Sequence, residues 1–125
     1  MAYDEYVVDR IKNVLREKKV QYVTKKMIGG LCFMVDDKMC LGTHIDKTSQ
    51  ASLLMIRIGN ETYQKEKHKP ECIPMDFTGK RMKDYAFVTS DGFDFDEDLE
   101  YWIQLCLDFN PLAKSSKKKK KSQSK

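Results

Sequence analysis

Apolar residues recur at helical spacing near the start of the chain. Between residues 4 and 18 they return every three or four positions, and charged residues occupy the other faces. A repeat of about 3.6 residues is typical of an amphipathic helix. The pattern therefore predicts a helix over residues 4–18 with one face to bury.

After Tyr22 the pattern changes to short apolar runs that are broken by turn residues. Such runs are typical of antiparallel strands, and they predict four of them. Gly29-Gly30 suits the two-residue turn of the first hairpin, because both central positions of a type I′ turn need a positive φ. Residues 36–38 and 46–52 are expected to form the next two connections. The four predicted strands are "YVTKKMI", "LCFMV", "MCLGTHI" and "LLMIRI".

A short helix and two further strands are predicted next. Asn60 is expected to cap a helix over residues 61–69, which Pro70 ends. Strands are expected near residues 75–77 and 85–89, because turn residues lie between these two apolar segments and again after the second of them.

The last predicted element is a helix whose apolar stripe runs over residues 99–109, with Asp94 or Asp96 as its N-cap. The complete order is α-β4-α-β2-α. This order predicts a two-layer α+β domain over residues 1–112, in which helices pack on one face of an antiparallel sheet.

The charge of the chain is unevenly divided. The whole chain carries +4, but residues 113–125 contain seven lysines and no acidic residue, which leaves a net charge of −3 on the preceding 112 residues. The last segment has no apolar periodicity, so it cannot bury enough surface to offset the entropy of ordering. We expect residues 113–125 to form a disordered lysine-rich tail.

The apolar runs and the cysteines indicate the environment of the protein. No apolar run approaches the length of about 18 residues that spans a bilayer, and the N-terminus is acidic rather than a basic secretion signal. We therefore expect a soluble cytoplasmic protein without membrane contact. The four cysteines form no C-x-x-C pair, so reduced and mostly buried thiols are predicted rather than a disulfide framework.

Three sequence features resemble ligand loops but depart from them. A strand-like run follows Gly29-Gly30, whereas a phosphate loop leads into a helix, so the hairpin is the favoured interpretation. The segment "TGKR" lacks the first glycine and the last hydroxyl residue of a P-loop. The acidic segment from Asp94 lacks the glycine and the final glutamate of a calcium-binding EF-hand loop. No cofactor is predicted.

Cys32, Cys40 and His44 are the nearest approach to a zinc site. A two- or four-residue turn between their strands would place the two cysteines on opposite faces, and only a three-residue turn would bring them together. Cys40 and His44 are expected to share a face, but two ligands do not make a site. We therefore predict no metal site. No catalytic motif is present either, so we expect a protein that is not an enzyme.

Basic residues are the remaining candidates for binding. One group lies near turns and would form a patch if the turns at Gly29 and Gly79 approached each other, although scattered lysines are more often a solvated surface. The second group is a run of five lysines, which either binds polyanions weakly through counterion release or keeps the chain soluble. The two groups are Lys25, Lys26, Lys80, Arg81 and Lys83, and Lys117, Lys118, Lys119, Lys120 and Lys121.

Several segments of the sequence resemble the TfoX N-terminal-domain family in their residues, order and spacing. They are "AYDEYVVDRI", "KKMIGGLCFMV", "MCLG", "LLMIRIG", "ETY" and "PMDFTGKRMKDYAFV", and they cover residues 2–110. The resemblance implies a compact α+β domain with an antiparallel sheet and no established catalytic residues. It also implies a role in natural competence for DNA uptake, together with a transcription factor as protein partner.

In the competence regulators of this family a second, helical domain follows, whereas here the lysine-rich segment follows, so we expect a standalone N-terminal domain. The leading hypothesis is a regulatory or adaptor module that binds another protein in transcriptional regulation, with homodimerisation left open. The alternatives are a weak nucleic-acid binder that uses the two basic groups, and a small-molecule binder or enzyme whose site is assembled from distant segments.

Overall fold

The structure, a computed structural model, describes the backbone of residues 3–27, 29–77 and 80–113, with every side chain in these ranges except those of residues 27, 76, 77 and 80–82. The helices and strands follow the order α-β4-α-β2-α, which confirms the predicted α+β class. Two short 3-10 helices, Ser90–Gly92 and Asn110–Leu112, flank the last α-helix. The other elements are α1 (Glu5–Glu17), β1 (Val23–Met27), β2 (Gly30–Val35), β3 (Lys38–Ile45), β4 (Ser52–Arg57), α2 (Asn60–Glu66), β5 (Cys72–Phe77), β6 (Lys80–Val88) and α3 (Asp96–Phe109).

Helix α1 forms where the apolar spacing predicts it. Asp4 is the N-cap, and its carboxylate accepts a hydrogen bond of 2.9 Å from the backbone N–H of Tyr6. This bond satisfies one of the N–H groups that have no partner within the first turn of a helix. The buried stripe of the helix consists of Val7, Val8, Ile11 and Leu15.

The six strands form one antiparallel sheet in the order β1-β2-β3-β4-β6-β5. The first four strands are neighbours in both sequence and space, as expected for consecutive hairpins. After α2 the chain passes to the far edge as β5, and β6 then returns between β5 and β4. The two edges of the sheet are therefore β1 and β5.

The first hairpin turn lies one residue earlier than predicted. Met27 pairs with Gly30, so Gly30 is the first residue of β2 rather than the second turn residue, while Gly29 has the positive φ of 72° that was expected. Gly30 is required for another reason. A Cβ atom at this position would lie 2.2 Å from the carbonyl oxygen of Thr43, so only glycine allows β2 and β3 to approach this closely here.

A two-residue turn and a β-bulge connect β2 and β3. Asp36 and Asp37 form the turn with φ angles of 55° and 64°, the values of a type I′ hairpin. Further along, Phe33 pairs with Leu41 but Met34 pairs with Met39, so Cys40 is the extra residue of a bulge.

The bulge decides which way the candidate zinc ligands point. Cys32 packs among methionines on one face of the sheet, and Cys40 packs on the other face, so the prediction that they diverge is confirmed. The expectation that Cys40 and His44 share a face was wrong. His44 stacks on Phe87 on the face of Cys32, because the bulge shifts the alternation of β3 by one residue.

Neither α2 nor α3 begins with the local cap that the sequence predicts. Asn60 is the first residue of α2 rather than its cap, and its N–H donates to the carboxylate of Asp84 at 3.1 Å. In α3 the N-cap is Phe95, which makes no side-chain cap. The guanidinium of Arg10 donates to the carbonyl oxygen of Phe93 at 2.8 Å and so holds the segment just before this helix.

The sheet has a buried cluster on each face. All three α-helices contribute to the first cluster and none contributes to the second, so the helices pack on one face, as predicted. We call the first cluster the helix-side core, and its members are Val7, Val8, Ile11, Leu15, Leu31, Phe33, Cys40, Leu41, Leu54, Ile56, Ile58, Tyr63, Cys72, Ala86, Val88, Phe93, Leu99, Trp102, Ile103 and Cys106. We call the second the methionine cluster, and its members are Cys32, Met34, Met39, Met55 and Met75.

None of the helices in the described part of the chain is both long and apolar enough to cross a bilayer, and the longest of them has 14 residues.

Candidate functional site

The structure does not bring Lys25 and Lys26 together with Lys83, the other predicted basic residue of the turns whose side chain is described. Lys25 and Lys26 lie on β1, whereas Lys83 lies on β6, and three strands separate β1 from β6. Four antiparallel pairings make β1 and β6 point in the same direction, so the last residue of β1 and the first residue of β6 lie at opposite ends of the sheet. Among the basic residues whose side chains are described, Lys25 and Lys26 therefore share no patch with Lys83.

The individual lysines differ in what they face. Lys25, Lys26 and Lys83 are exposed. Lys25 pairs with Cys32 and lies on the face of the methionine cluster, whereas Lys26 pairs with Leu31 and lies on the helix face. The side chains of Lys80 and Arg81, and the whole of residues 117–121, lie outside the described residues.

Lys25 lines a groove of about 390 Å³ along the edge of the sheet. The cross-strand pair Val23 and Met34 forms its apolar middle, and the side chain of Val23 is 65% exposed. Acidic residues of the β2–β3 turn lie at the end away from Lys25. We call this feature the β1 groove, and its lining residues are Gln21, Tyr22, Val23, Lys25, Met34, Asp36 and Asp37.

The methionine cluster shares Met34 with this groove, and its interior is closed to water. Met55 and Met75 are 0% exposed, although the described helices cover only the other face. Gly42 makes room for the packing, because the methyl carbon of Met55 lies 2.9 Å from where a Cβ of Gly42 would be. Methionine suits such a site, since its unbranched side chain fills irregular gaps.

Two ring contacts extend the methionine cluster. The guanidinium of Arg57 lies 5.2 Å from the ring centroid of Tyr85 and donates to the carbonyl oxygen of Met39 at 3.3 Å. The ring of His44 stacks on Phe87 with centroids 5.2 Å apart. Burial lowers the pKa of His44, against the opposing effect of Asp46, so the neutral imidazole is favoured at pH 7.

A polar network joins α2 to α3 on the helix face. The carboxylate of Glu66 accepts a hydrogen bond of 2.6 Å from the hydroxyl of Tyr101, and the ammonium of Lys69 lies 2.7 Å from its other oxygen. Burial opposes the charge on Glu66, but the two hydrogen bonds and the charge of Lys69 outweigh it and lower the pKa of Glu66. Because its partners are residues of the same chain, this carboxylate stabilises the fold.

All four cysteine side chains are buried, as predicted. Burial raises the pKa of Cys32 and Cys72 to about 11 and that of Cys40 to about 12, and it also raises the pKa of Cys106. These thiols stay protonated at neutral pH, whereas reactive cysteines have a lowered pKa. Within the described ranges, no three His, Cys, Asp or Glu side chains are placed to hold a metal ion.

Lys25 was among the binding residues predicted from the sequence, but the rest of the β1 groove was not predicted. Val23 and Met34 belong to apolar runs that predict buried strands, and the Asp36-Asp37 pair indicates only a turn. The sequence signal for the groove was the position of β1 as the first of four consecutive strands. Such a strand has a hairpin partner on one side only, so its other side is expected to form an edge of the sheet.

The fold and these surfaces can be compared with known proteins. The family model of the TfoX N-terminal domain matches residues 17–110, the range that contains the sheet and all of α2 and α3. Comparisons with curated proteins and with solved structures gave no significant match. The family match covers most of the chain and confirms the resemblance found in its sequence. The chain belongs to the TfoX N-terminal domain family.

Proposed function

We propose that this chain is a non-enzymatic cytoplasmic regulatory module that acts by binding another protein in the control of transcription. The observation that carries the proposal is the family match over residues 17–110, which supports a competence-related regulatory domain. Binding to a protein, rather than catalysis, is our inference for how such a domain works.

The distribution of charge favours a protein partner for the folded body. Residues 84–113 contain eight of the 19 acidic residues and no lysine or arginine. This segment includes all of α3, whose first turn carries Asp96, Glu97 and Asp98. A surface of this sign repels the phosphate backbone of DNA, which proteins bind mainly through lysine and arginine.

Two exposed aromatic side chains, one within this acidic segment and one on α1, support the same proposal. Tyr6 is 70% exposed and Phe95 is 66% exposed. Arg10 belongs to α1, and its side chain reaches the start of α3, with its guanidinium 5.9 Å from the ring centroid of Tyr6. Tyrosine, phenylalanine and arginine are enriched in protein interfaces relative to the rest of a surface.

Affinity capture with the full chain as bait tests the proposal. The lysate of the source cells is treated with nuclease, so that nucleic acid cannot bridge bait and prey, and bound proteins are identified by mass spectrometry. We expect the same protein to be retained in each replicate, and deletion of the gene to change the transcription of a defined set of genes. A strictly monomeric protein that retains no partner would overturn the proposal.

A second candidate function is weak binding of nucleic acid by the lysine run. The observation that favours it is the run of five consecutive lysines, Lys117 to Lys121. Such a run binds phosphates without sequence preference, and the binding constant falls steeply as salt concentration rises.

Replacement of the five lysines by glutamine in the full chain separates the two candidates. Binding to duplex DNA is measured by fluorescence anisotropy between about 20 and 200 mM salt, a range over which several phosphate contacts lose orders of magnitude in affinity. The second candidate predicts binding that the glutamine variant loses. No binding at low salt removes it, and unchanged binding by the variant moves the site to the folded body.

A further inference from the structure

The two edges of the sheet differ in their capacity to accept another strand. In β5, Pro74 lacks a backbone N–H group, and the register breaks between Pro74 and Asp76. β1 contains no proline, and its five residues form an unbroken ladder with β2. Alternate residues of an edge strand aim their N–H and C=O groups outward, so β1 presents a regular row of donors and acceptors.

The outer side of β1 is accessible. All four residues from Val23 to Lys26 are exposed, and within the described part of the chain β1 pairs with β2 alone. An extended segment placed beside β1 would meet a continuous backbone edge and, on one face, the β1 groove.

The β1 groove orders three different chemical environments along the strand. Side chains at every second position lie on one face, so Lys25, Val23 and Gln21 follow one another along the groove. Lys25 supplies positive charge at one end, and the pair of Val23 and Met34 supplies the apolar middle. The turn residues Asp36 and Asp37 supply negative charge at the end where Gln21 lies.

We propose that β1 binds an extended segment of a protein partner as a seventh antiparallel strand. The segment carries an acidic, an apolar and a basic side chain at alternate positions in that order, because an antiparallel segment starts opposite Lys25 and ends near Asp36 and Asp37. Main-chain hydrogen bonds supply affinity in this mode of recognition, and the alternate side chains supply specificity. The inference rests on the proposed function as a protein-binding module and names its contact surface.

A second copy of the chain is a poor occupant of this edge. The antiparallel register that pairs all five residues of two β1 strands places Lys25 opposite Lys25 of the other copy. Like charges directly opposite each other destabilise a strand pair, and edge lysines commonly prevent self-association for this reason. The same lysine attracts an acidic side chain.

Selection from a random heptapeptide display library on the folded full chain tests the pattern. We expect enrichment of Asp or Glu, then Val, Ile or Leu, then Lys or Arg, at alternate positions. With Lys25→Glu the first position should change to Lys or Arg. Lys26→Glu is the matched control, since this neighbouring lysine is also exposed but lies on the other face, and it should leave the pattern unchanged. Circular dichroism verifies that both variants are folded.

A selected peptide then tests the main-chain pairing. Two variants of this peptide are made, each N-methylated at every second amide. The first variant lacks the N–H donors that face β1, and the second lacks the N–H donors that face away from it. We expect the first variant to bind at least tenfold more weakly than the unmodified peptide and the second to bind almost as well. Any of three outcomes would overturn the proposal. They are the absence of an enriched pattern, a pattern that Lys25→Glu leaves unchanged, and an equal loss of affinity for the two methylated peptides.

Affinity capture with the Lys25→Glu variant as bait distinguishes failure of the proposed contact at β1 from failure of the proposed function. Loss of the partner by Lys25→Glu and retention by Lys26→Glu support both. A partner that both variants retain leaves the proposed function standing and overturns the contact at β1. If the original chain retains no partner either, the proposed function itself fails.

Discussion

The two faces of the sheet exclude water in different ways. The helix-side core is built from branched and aromatic side chains, and α1 and α3 cover it as a second layer. Among the described side chains, the methionine cluster is built from strand residues, and four of its five members are methionines. Both are closed to the same degree, since Leu54 on one face and Met55 on the other are each 0% exposed.

This difference shows that a covering layer is only one route to a dry face. Rigid side chains need a complementary surface, which the helices supply. The long flexible side chains of the methionine cluster pack against one another and against Tyr85 and Phe87 instead, and Gly42 leaves room for the neighbouring Met55. The side chains of the methionine cluster should therefore rearrange more readily than those of the helix-side core to fill the space that a truncated member leaves.

Leu54→Ala and Met55→Ala test this contrast most directly, because the two residues are neighbours on β4 and equally buried. Substitution of a buried Leu or Met by Ala lowers the free energy of unfolding by about 2–5 kcal/mol. We expect Leu54→Ala to lie near the upper end and Met55→Ala near the lower end, because the remaining methionines can move into the vacated space. Urea denaturation at pH 7 measures both values.

Leu54→Met and Met55→Leu are the controls, since they keep side-chain volume and should each cost less than about 1.5 kcal/mol. Equal losses for the two alanine variants would show that the methionine cluster is packed as rigidly as the helix-side core, and the contrast between the faces would fail.

Gly42→Ala tests whether backbone space permits the packing of the methionine cluster. The new Cβ would lie 2.7 Å from the carbonyl oxygen of Leu31 and 2.9 Å from the methyl carbon of Met55. Overpacking of this kind costs about 1–3 kcal/mol, and only the methionine can move aside easily. We expect the double variant with Met55→Ala to lose less stability than the sum of the two single variants, as measured by a double-mutant cycle. Strict additivity would show that Met55 does not occupy this space.

The sequence predicts the elements better than it predicts their contacts. The helical spacing gives α1 to within one residue at each end, and the order of helices and strands follows from the periods of the apolar runs. The turn at Gly29 is shifted because Gly30 is needed where β2 approaches Thr43, which is a contact between strands. Asp84 accepts from the first N–H of α2, and Arg10 donates to the segment before α3, and both residues lie far away in sequence.

The same limit applies to the candidate site. Lys25 is recognisable in the sequence as an exposed basic residue near a turn, but its groove depends on pairing with β2. The separation of Lys25 from Lys83 depends on the strand order, which places β6 between β4 and β5. The burial of the methionine cluster is partly predictable from the sequence, since continuous apolar runs such as "LCFMV" indicate strands that are buried on both faces.

Alkaline pH tests whether the two faces exclude water equally. Cys32 and Cys106 lie on opposite faces, and burial raises the pKa of both thiols, that of Cys32 to about 11. A thiol in the unfolded chain releases its proton near pH 8.5, so the folded state holds protons that the unfolded state has lost, and stability falls as pH rises above that value. Each buried thiol should lower stability by about 1–2 kcal/mol between pH 8 and pH 10.

Urea denaturation at pH 8, 9 and 10 measures this loss. Cys32→Ala and Cys106→Ala should each reduce the decline with pH by a similar amount relative to the original chain, whatever their effect at pH 8. A much smaller reduction for Cys32→Ala than for Cys106→Ala would mean that water reaches the methionine cluster and that the two faces are not equally dry.

The smallest expected effect concerns the polar network, which the helix face has in addition to its apolar packing. Tyr101→Phe removes the hydrogen bond to Glu66 and should lower the free energy of unfolding by about 1 kcal/mol at pH 7. The lowered pKa of Glu66 means that the network stabilises the fold above the carboxyl pKa of the unfolded chain and that this stabilisation is lost as pH falls through the lower folded value. The effect of Tyr101→Phe should therefore shrink in acid. In a Glu66→Gln background it should be smaller and independent of pH, and a pH dependence that persists there would assign it to another carboxylate.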